Sequence, residues 1–205
     1  MAKKRILLLS VGLSSIKDFV GGKPNGMKLA LVTTAGNTSP DPWWIEKDRK
    51  RLKKLGFTIS ELDIDGKSAG QLGKFLLDKD VLYVAGGNSF YLLEKMRESG
   101  LDKLIPKLLG RGMMYVGSSA GSVVVGPDLK PVVLLDDPSE APDLKSTKAL
   151  GLVAFMPLPH YGRAQFARQY KKIMKKFRKK YKLVTITDRQ AIIVVGDRYK
   201  IIDSE

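Results

Sequence analysis

Cysteine is absent from the chain, and histidine occurs only once. Without cysteine there is no disulfide framework, no thiolate metal site and no cysteine nucleophile. A lone histidine excludes the histidine clusters that bind zinc. We therefore expect any catalytic chemistry to use oxygen nucleophiles, carboxylates and one imidazole, without a metal or another cofactor.

Long apolar runs are also missing, because no stretch approaches the roughly 20 residues that span a bilayer. The basic triplet at residues 3–5 precedes the apolar run 6–9, as in a short signal peptide. The run breaks at Ser10, however, and no small-residue cleavage site follows. A buried first strand explains the run better. We expect a cytoplasmic protein without a membrane partner.

Acidic residues are outnumbered, with 21 Asp and Glu against 36 Lys and Arg, and the net charge is +15. Residues 163–182 carry ten basic residues and no acidic one. Such a block attracts nucleic acid or anionic surfaces. We favour a solvated helix face, because the aromatic spacing lacks the pattern of a single-strand-binding surface. Nucleic acid is not the expected partner, and the protein is expected to be a monomer or a homodimer.

Apolar strands alternate with amphipathic helices along the 205 residues. Strands this apolar are buried on both faces, which predicts a mostly parallel sheet in a three-layer α/β/α sandwich, with residues 1–205 as one domain. The predicted strands are 5–11, 28–34, 58–63, 81–85, 113–116, 183–187, 191–195 and 199–202. The predicted helices are 41–55, 71–77, 89–98, 101–109 (short or kinked by Pro106) and 170–181. Gly196-Asp197 predicts a hairpin turn. The proline-rich segment after residue 126 is interpreted as an excursion that carries site residues.

The sequence Gly117-Ser118-Ser119-Ala120-Gly121 matches the nucleophile-elbow pattern G-x-S-x-G. It follows a predicted strand and precedes a helix start. A sharp strand-to-helix turn lifts the central side chain above the sheet, and flanking glycines relieve the crowding. The alternative is a small-residue turn that only packs closely. In this context we interpret Ser119 as a nucleophile.

A serine nucleophile needs a base, and His160 is the single candidate. It stands between Pro159 and Gly162, in a sequence typical of a loop. The imidazole in turn needs an acceptor that orients it. Asp136 and Asp137 lie between serine and histidine in sequence, and a solvated turn explains them equally well. Two further acidic residues are weaker options for this role, Asp128 and Asp143.

A second glycine-rich turn, Gly86-Gly87-Asn88, follows the strand predicted at 81–85. Glycines there let a substrate carbonyl approach backbone N–H groups. The amides of Gly87 and Ala120 are candidates for an oxyanion hole. Asn88 is a candidate substrate contact, and its alternative role is to cap the helix that follows. A phosphate-binding loop is disfavoured, because no G-x-G-x-x-G or Walker pattern is present.

Together these motifs resemble the serine peptidases of the dipeptidase E (aspartyl dipeptidase) and cyanophycinase type. The resemblance covers nearly the whole chain. It rests on residues 86–90, on residues 117–121 and on Pro159-His160, with weaker support from residues 28–34 and 187–192. It implies a class I glutamine amidotransferase-like, flavodoxin-like fold. It also implies Ser119 as nucleophile, His160 as base and a glycine amide of the second turn in the oxyanion hole.

The same resemblance bears on the acid and on the substrate. The family's catalytic aspartate stands in an Asp-x-Pro context, which Asp136 matches, while spacing also allows Asp137. The family's dipeptidases prefer an N-terminal aspartate, which an arginine after the histidine recognises. Arg163 and Arg168 are the candidates here, in a segment shorter than that of the dipeptidases.

The leading hypothesis is a serine peptidase that hydrolyses small peptides through a Ser-His-Asp triad and an acyl-enzyme, with N-terminal Asp dipeptides as candidate substrates. An esterase or another acyl hydrolase with the same triad is the first alternative. A basic nucleic-acid-binding protein on the same fold is the second.

Overall fold

The computed structural model describes residues 3–205, and its centre is a seven-stranded sheet of order β3-β2-β4-β5-β1-β8-β9. The strands are β1 (Arg5–Leu9), β2 (Lys28–Val32), β3 (Thr58–Leu62), β4 (Val81–Val84), β5 (Met114–Ser118), β6 (Met156–Leu158), β7 (Leu183–Thr185), β8 (Gln190–Val195) and β9 (Arg198–Asp203). The helices are α1 (Ile16–Val20), α2 (Trp43–Leu55), α3 (Ala69–Leu76), α4 (Ser89–Ser99), α5 (Leu101–Gly110), α6 (Ala120–Val123) and α7 (Ala167–Phe177).

The first five strands run parallel, and β8 and β9 add an antiparallel edge. Alternate residues of β1 enter different cores. Ile6 and Leu8 pack into one hydrophobic cluster, and Leu7 and Leu9 pack into another on the opposite face. This burial on both faces explains why the strands are almost continuously apolar. The prediction of a mostly parallel α/β fold is confirmed.

Three strands deliver candidate residues to one edge of the sheet. β1 and β4 both pair in parallel with β5, so the carboxyl ends of all three lie side by side. Ser10 directly follows β1, the turn beginning near Gly86 follows β4, and Ser119 follows β5. Ligand sites of open α/β sheets form at such carboxyl ends.

A separate two-stranded parallel sheet, β6 with β7, was not predicted from the sequence. Each of its strands has three residues, and β6 contains Pro157, which has no N–H to donate. The Ile186 amide donates to Leu158 O, and the Tyr161 amide donates to Ile186 O. These bonds hold the chain after β6 beside the chain after β7. Residues 160 and 188 are thereby brought together.

Other elements differ from the sequence predictions in detail. α5 runs through Pro106 as a ten-residue helix, and α7 begins three residues before its predicted start and ends at Phe177. The predicted hairpin turn joins β8 to β9, with Gly196 at φ 61°.

No helix within residues 3–205 combines the length and apolar character that a membrane crossing requires.

Candidate active site

Ser119 occupies a strained turn between β5 and α6, with φ 48° and ψ −109°. A positive φ is rare for residues other than glycine and marks stored backbone strain. The neighbouring glycines make the turn possible. A Cβ on Gly117 would lie 2.3 Å from Gly121 O, and a Cβ on Gly121 would lie 2.1 Å from Val84 O. Both glycines are therefore required by close backbone approach.

The hydroxyl of Ser119 lies 2.8 Å from Nε2 of His160. His160 follows β6 and also has a positive φ, 65°, so its ring is aimed from an irregular backbone. On the other side of the ring, Nδ1 lies 2.9 Å from Oδ1 of Asp188. Three side chains from three separate segments thus form one hydrogen-bonded chain.

Asp188 is held by two further side chains. Nε of Arg163 donates to its Oδ2 at 2.6 Å, and the hydroxyl of Ser10 donates to its Oδ1 at 2.7 Å. Ser10 also accepts the backbone N–H of His160 at 2.9 Å. Because it binds both partners, the buried Ser10 fixes the imidazole and the carboxylate relative to each other.

The pKa values of His160 and Asp188 are both shifted in the direction that favours His160 as a general base. Burial lowers the pKa of His160 and the charge of Arg163 lowers it further, although the hydrogen bond that His160 donates to Asp188 opposes both effects. Burial alone would raise the pKa of Asp188, but hydrogen bonds from Arg163, His160 and Ser10 outweigh it and lower that pKa. Near neutral pH the imidazole is therefore neutral and the carboxylate is ionised.

The acidic residues expected beside His160 lie elsewhere. Asp136 accepts the Ser89 N–H at 3.0 Å, at the start of α4, and Asp137 accepts the Ser139 N–H at 2.9 Å. Asp137 caps the 3₁₀ turn Pro138–Glu140, and within residues 3–205 the imidazole is hydrogen-bonded to Asp188 and to neither of these two carboxylates. The expectation that either residue orients His160 does not match this geometry.

The two weaker options are also committed elsewhere. Asp128 accepts the Tyr181 hydroxyl at 3.0 Å, and Asp143 lies 3.8 Å from the ammonium of Lys145. Sequence reasoning missed Asp188 and Ser10. Their signal was positional, since Ser10 directly follows β1 at the edge that carries Ser119, and Asp188 lies in the turn between β7 and β8.

The amides of Gly87 and Ala120 have no protein acceptor among residues 3–205. Gly87 lines the cleft, and Ala120 directly follows Ser119 at the start of α6. Gly87 has φ 147°, and a Cβ there would lie 1.8 Å from Ala35 O, so only glycine fits. The indole N–H of Trp44 donates to Gly86 O at 2.9 Å and steadies the turn. Both amides remain candidate N–H donors to a negative charge that develops beside Ser119.

Asn88 is engaged inside the protein. Its side-chain oxygen accepts the N–H groups of Phe90 and Tyr91, and its Nδ2 donates to Asp137 O at 2.8 Å. It therefore caps α4, which was the alternative to a substrate contact.

A cleft of about 370 Å³ contains the reactive groups. The residues that line it include Ser10, Trp43, Trp44, Lys47, Asp48, Gly86, Gly87, Ser119, Asp136, His160, Arg163 and Phe166. Trp43 is 58% exposed there, which leaves a large aromatic face for a ligand.

Of the two candidate arginines, Arg163 lines the cleft, whereas Arg168 is exposed on α7 and does not line it. Within residues 3–205, no cluster of acidic and histidine side chains has the composition of a metal site.

Comparisons with known proteins find relatives that cover most of the chain. The sequence model of peptidase family S51 matches residues 9–202. An uncharacterized peptidase of Listeria innocua is 34% identical over 88% of this chain and 90% of its own length. A protein named peptidase E from Nostoc is 30% identical over 78% of this chain and 67% of its own. A crystal structure described as a candidate peptidase E from Listeria monocytogenes has a TM-score of 0.90, with 29% identity and full coverage of both chains.

Proposed function

The chain belongs to peptidase family S51 and is a serine-type peptidase, and we propose that it hydrolyses small peptides through Ser119, His160 and Asp188. The observation that carries this proposal is the hydrogen-bonded chain from the Ser119 hydroxyl through both ring nitrogens of His160 to the Asp188 carboxylate, at 2.8 and 2.9 Å. This is the arrangement in which a neutral imidazole takes the serine proton.

In the first half of the reaction, Oγ of Ser119 attacks the scissile carbonyl carbon while Nε2 of His160 accepts the hydroxyl proton. The carbonyl oxygen becomes negative and receives hydrogen bonds from the Gly87 and Ala120 amides. Asp188 stabilises the imidazolium that forms. His160 then passes the proton to the leaving amine, the C–N bond breaks, and an acyl-serine remains.

In the second half, water replaces the amine. His160 removes a proton from the water, whose oxygen attacks the acyl carbon. Collapse of the second tetrahedral intermediate returns the proton to Ser119 and releases the carboxylic acid.

The cleft dimensions and charges support small peptides as substrates. A volume of about 370 Å³ suits one or two residues around the scissile bond. Arg163 lines the cleft, and only its Nε is committed to Asp188. We propose that its terminal nitrogens receive an acidic side chain, which makes dipeptides with N-terminal Asp candidate substrates.

The test is covalent labelling followed by peptide profiling. A fluorophosphonate probe should label the wild-type protein, and peptide mapping should place the adduct on Ser119, while Ser119→Ala stays unlabelled. A dipeptide library should then yield free amino acids. Labelling at another residue would overturn the assignment of Ser119, and hydrolysis of esters without any peptide would favour the acyl-hydrolase alternative.

A further inference from the structure

A second groove lies beside the catalytic cleft, and all of its charged residues are basic. It has a volume of about 570 Å³ and lies between residues 161–163 and one face of α7, and we call it the α7 groove. The charged residues that line it are Arg163, Lys171, Lys175 and Arg178. Arg163 also lines the catalytic cleft, so the cleft and the groove meet at this side chain.

Three of these four basic side chains are not neutralised inside the protein. Within residues 3–205, Arg163 is paired with Asp188, whereas no carboxylate lies within 4 Å of the charged groups of Lys171, Lys175 or Arg178. All three are exposed. A ligand with negative charges can therefore pair with them without breaking an ion pair of the protein.

Aromatic side chains connect the α7 groove to the catalytic loop. The Tyr170 hydroxyl donates to Pro159 O, directly before His160. The Tyr161 ring meets the Tyr170 ring edge-on, with 5.3 Å between the ring centroids, and Tyr161 is 43% exposed. The groove thus combines apolar surface with positive charge, and these contacts set its position relative to His160.

We propose that the α7 groove binds an acidic stretch of a longer peptide, on the leaving-group side of the bond that is cleaved. This inference rests on the proposed peptidase function and adds a substrate class to it. The substrates are peptides that carry Asp or Glu side chains a few residues after the scissile bond.

The chemistry of His160 indicates which part of the peptide reaches the groove. Nε2 of His160 passes its proton to the leaving amine, so the first residue of the leaving peptide lies at the imidazole. Residues 161 and 162 directly follow His160 and line the groove. An extended peptide spans about 3.3–3.6 Å per residue, so the leaving chain needs only a few residues to enter it.

The spacing of the lysines fits an extended peptide. Lys171 and Lys175 are four residues apart on α7, which corresponds to about 6 Å along the helix axis. In an extended peptide, side chains on one face recur at every second residue, or about every 6.6 Å. Two acidic residues separated by one other residue can therefore each pair with one lysine.

A polynucleotide fits the α7 groove less well than an acidic peptide does. Proteins that bind single strands stack successive bases on several aromatic side chains. Of the two aromatic residues that line this groove, Tyr161 is exposed but Tyr170 is buried. The groove also meets the catalytic cleft, where the proposed substrate is a peptide.

The experiment compares two peptides that differ only in charge. The Ser119→Ala variant, which does not consume them, is titrated calorimetrically with Ala-Leu-Glu-Ala-Glu-Ala and with Ala-Leu-Gln-Ala-Gln-Ala. The titrations are repeated with Lys171→Gln and Lys175→Gln added together. The matched control adds Lys172→Gln and Lys176→Gln, which remove the same charge from exposed lysines of α7 outside the groove.

Each exposed ion pair changes affinity by about two- to fivefold, so two pairs should make the Glu peptide bind about 4–25-fold more tightly than the Gln peptide at low salt. Lys171→Gln with Lys175→Gln should remove most of this preference, and the control should preserve it. Equal binding of the two peptides, binding of neither, a preference that survives in the groove variant, or equal losses in both double variants would each overturn the inference.

Two further measurements test the occupant and the function separately. A short oligothymidylate that binds more tightly than the Glu peptide at the same salt, and loses binding in the groove variant, would assign the groove to nucleic acid and overturn the inference. Fluorophosphonate labelling of the wild type reports on the proposed function alone, because that probe carries no peptide chain to enter the groove. A labelled enzyme without a preference for the Glu peptide would contradict the role of the α7 groove and leave the peptidase function standing.

Discussion

The two sides of the catalytic cleft are built in different ways. On the nucleophile side, Ser119 and the Gly86-Gly87 turn follow adjacent parallel strands, and close backbone contacts fix them. On the base side, His160 and Asp188 follow two short strands outside the main sheet. Side-chain bonds from Ser10 and Arg163 hold that side in place.

From this difference we infer which side of the cleft tolerates amino-acid substitutions. A glycine whose Cβ position coincides with a backbone oxygen allows no substitution without moving a strand. A carboxylate held by three side-chain donors keeps part of its geometry when one donor is lost. We therefore expect substitutions on the nucleophile side to abolish activity abruptly, and substitutions of the donors on the base side to reduce it by degrees.

The largest effect should come from Ser119→Ala, which removes the atom that forms the acyl-enzyme. Turnover should fall about 10⁴-fold or more, as it does when the nucleophile of a triad is removed. The measurement is kcat for a peptide that the wild type hydrolyses. Ser118→Ala is the control, because the buried Ser118 belongs to β5 and should cost much less. Equal losses from both variants would refute the assignment of the nucleophile.

Asp188→Asn should follow, with a loss of about 10³–10⁴-fold in kcat, because an amide does not stabilise the imidazolium and favours the wrong tautomer. The control is Asp137→Asn, which changes the same chemical group outside the cleft and should stay within about twofold of the wild type. If Asp137→Asn or Asp136→Asn reduced kcat as much as Asp188→Asn does, the acid would have to be reassigned despite the 2.9 Å contact.

The same difference decides how much of the molecule was predictable. Strand periodicity and the G-x-S-x-G pattern are local signals, and they located β1 to β5 and the strand-to-helix turn at Ser119. Asp188 lies 28 residues from its partner His160 along the chain, and the contact depends on the pairing of β6 with β7. β6 is only three residues long and contains Pro157, so it has no alternation of apolar and polar residues from which a strand could be predicted.

Asp136 was expected beside His160 because its Asp-x-Pro context and its position between serine and histidine fit the order of a triad. Neither property fixes where a side chain points. The start of α4 has unpaired N–H groups, and Asp136 satisfies one of them at Ser89. Asp136 thus accepts a hydrogen bond at the start of a helix that is remote in sequence. No local sequence pattern predicts this contact.

The pH dependence tests the charged contacts on the base side. Burial and the charge of Arg163 lower the pKa of His160, although the Asp188 hydrogen bond opposes them. The neutral imidazole is the active form, so kcat/KM should rise with pH along a limb whose midpoint lies below about 6.5. Arg163→Ala removes the nearby positive charge and one donor to Asp188. Both changes favour the imidazolium, so the midpoint should move to higher pH.

Arg168→Ala serves as the control for that profile, since Arg168 is exposed on α7 and should leave the midpoint where it is in the wild type. An Arg163→Ala limb that does not move, or that moves to lower pH, would show that the guanidinium does not govern the titration of His160.

The smallest expected effect concerns the substrate's side-chain charge. Arg163 should favour Asp-Leu over Asn-Leu by less than about tenfold, because one of its donors is already committed to Asp188 and the cleft is open to solvent. The measurement is the ratio of kcat/KM for the two dipeptides. Taking the ratio cancels the loss that any Arg163 variant suffers through Asp188. The ratio should decrease with added salt, as exposed charge contacts do.

Two variants sharpen this measurement. Arg163→Lys keeps the charge but not the parallel donors, so it should retain only part of the preference for Asp-Leu, and Arg163→Ala should abolish it. Arg168→Ala should leave the ratio unchanged, because its guanidinium lies outside the cleft. A ratio that falls in Arg168→Ala and survives in Arg163→Ala would place the acidic side chain along α7. The base side of the cleft would then hold only the catalytic groups, and substrate charge would be read on the helix surface.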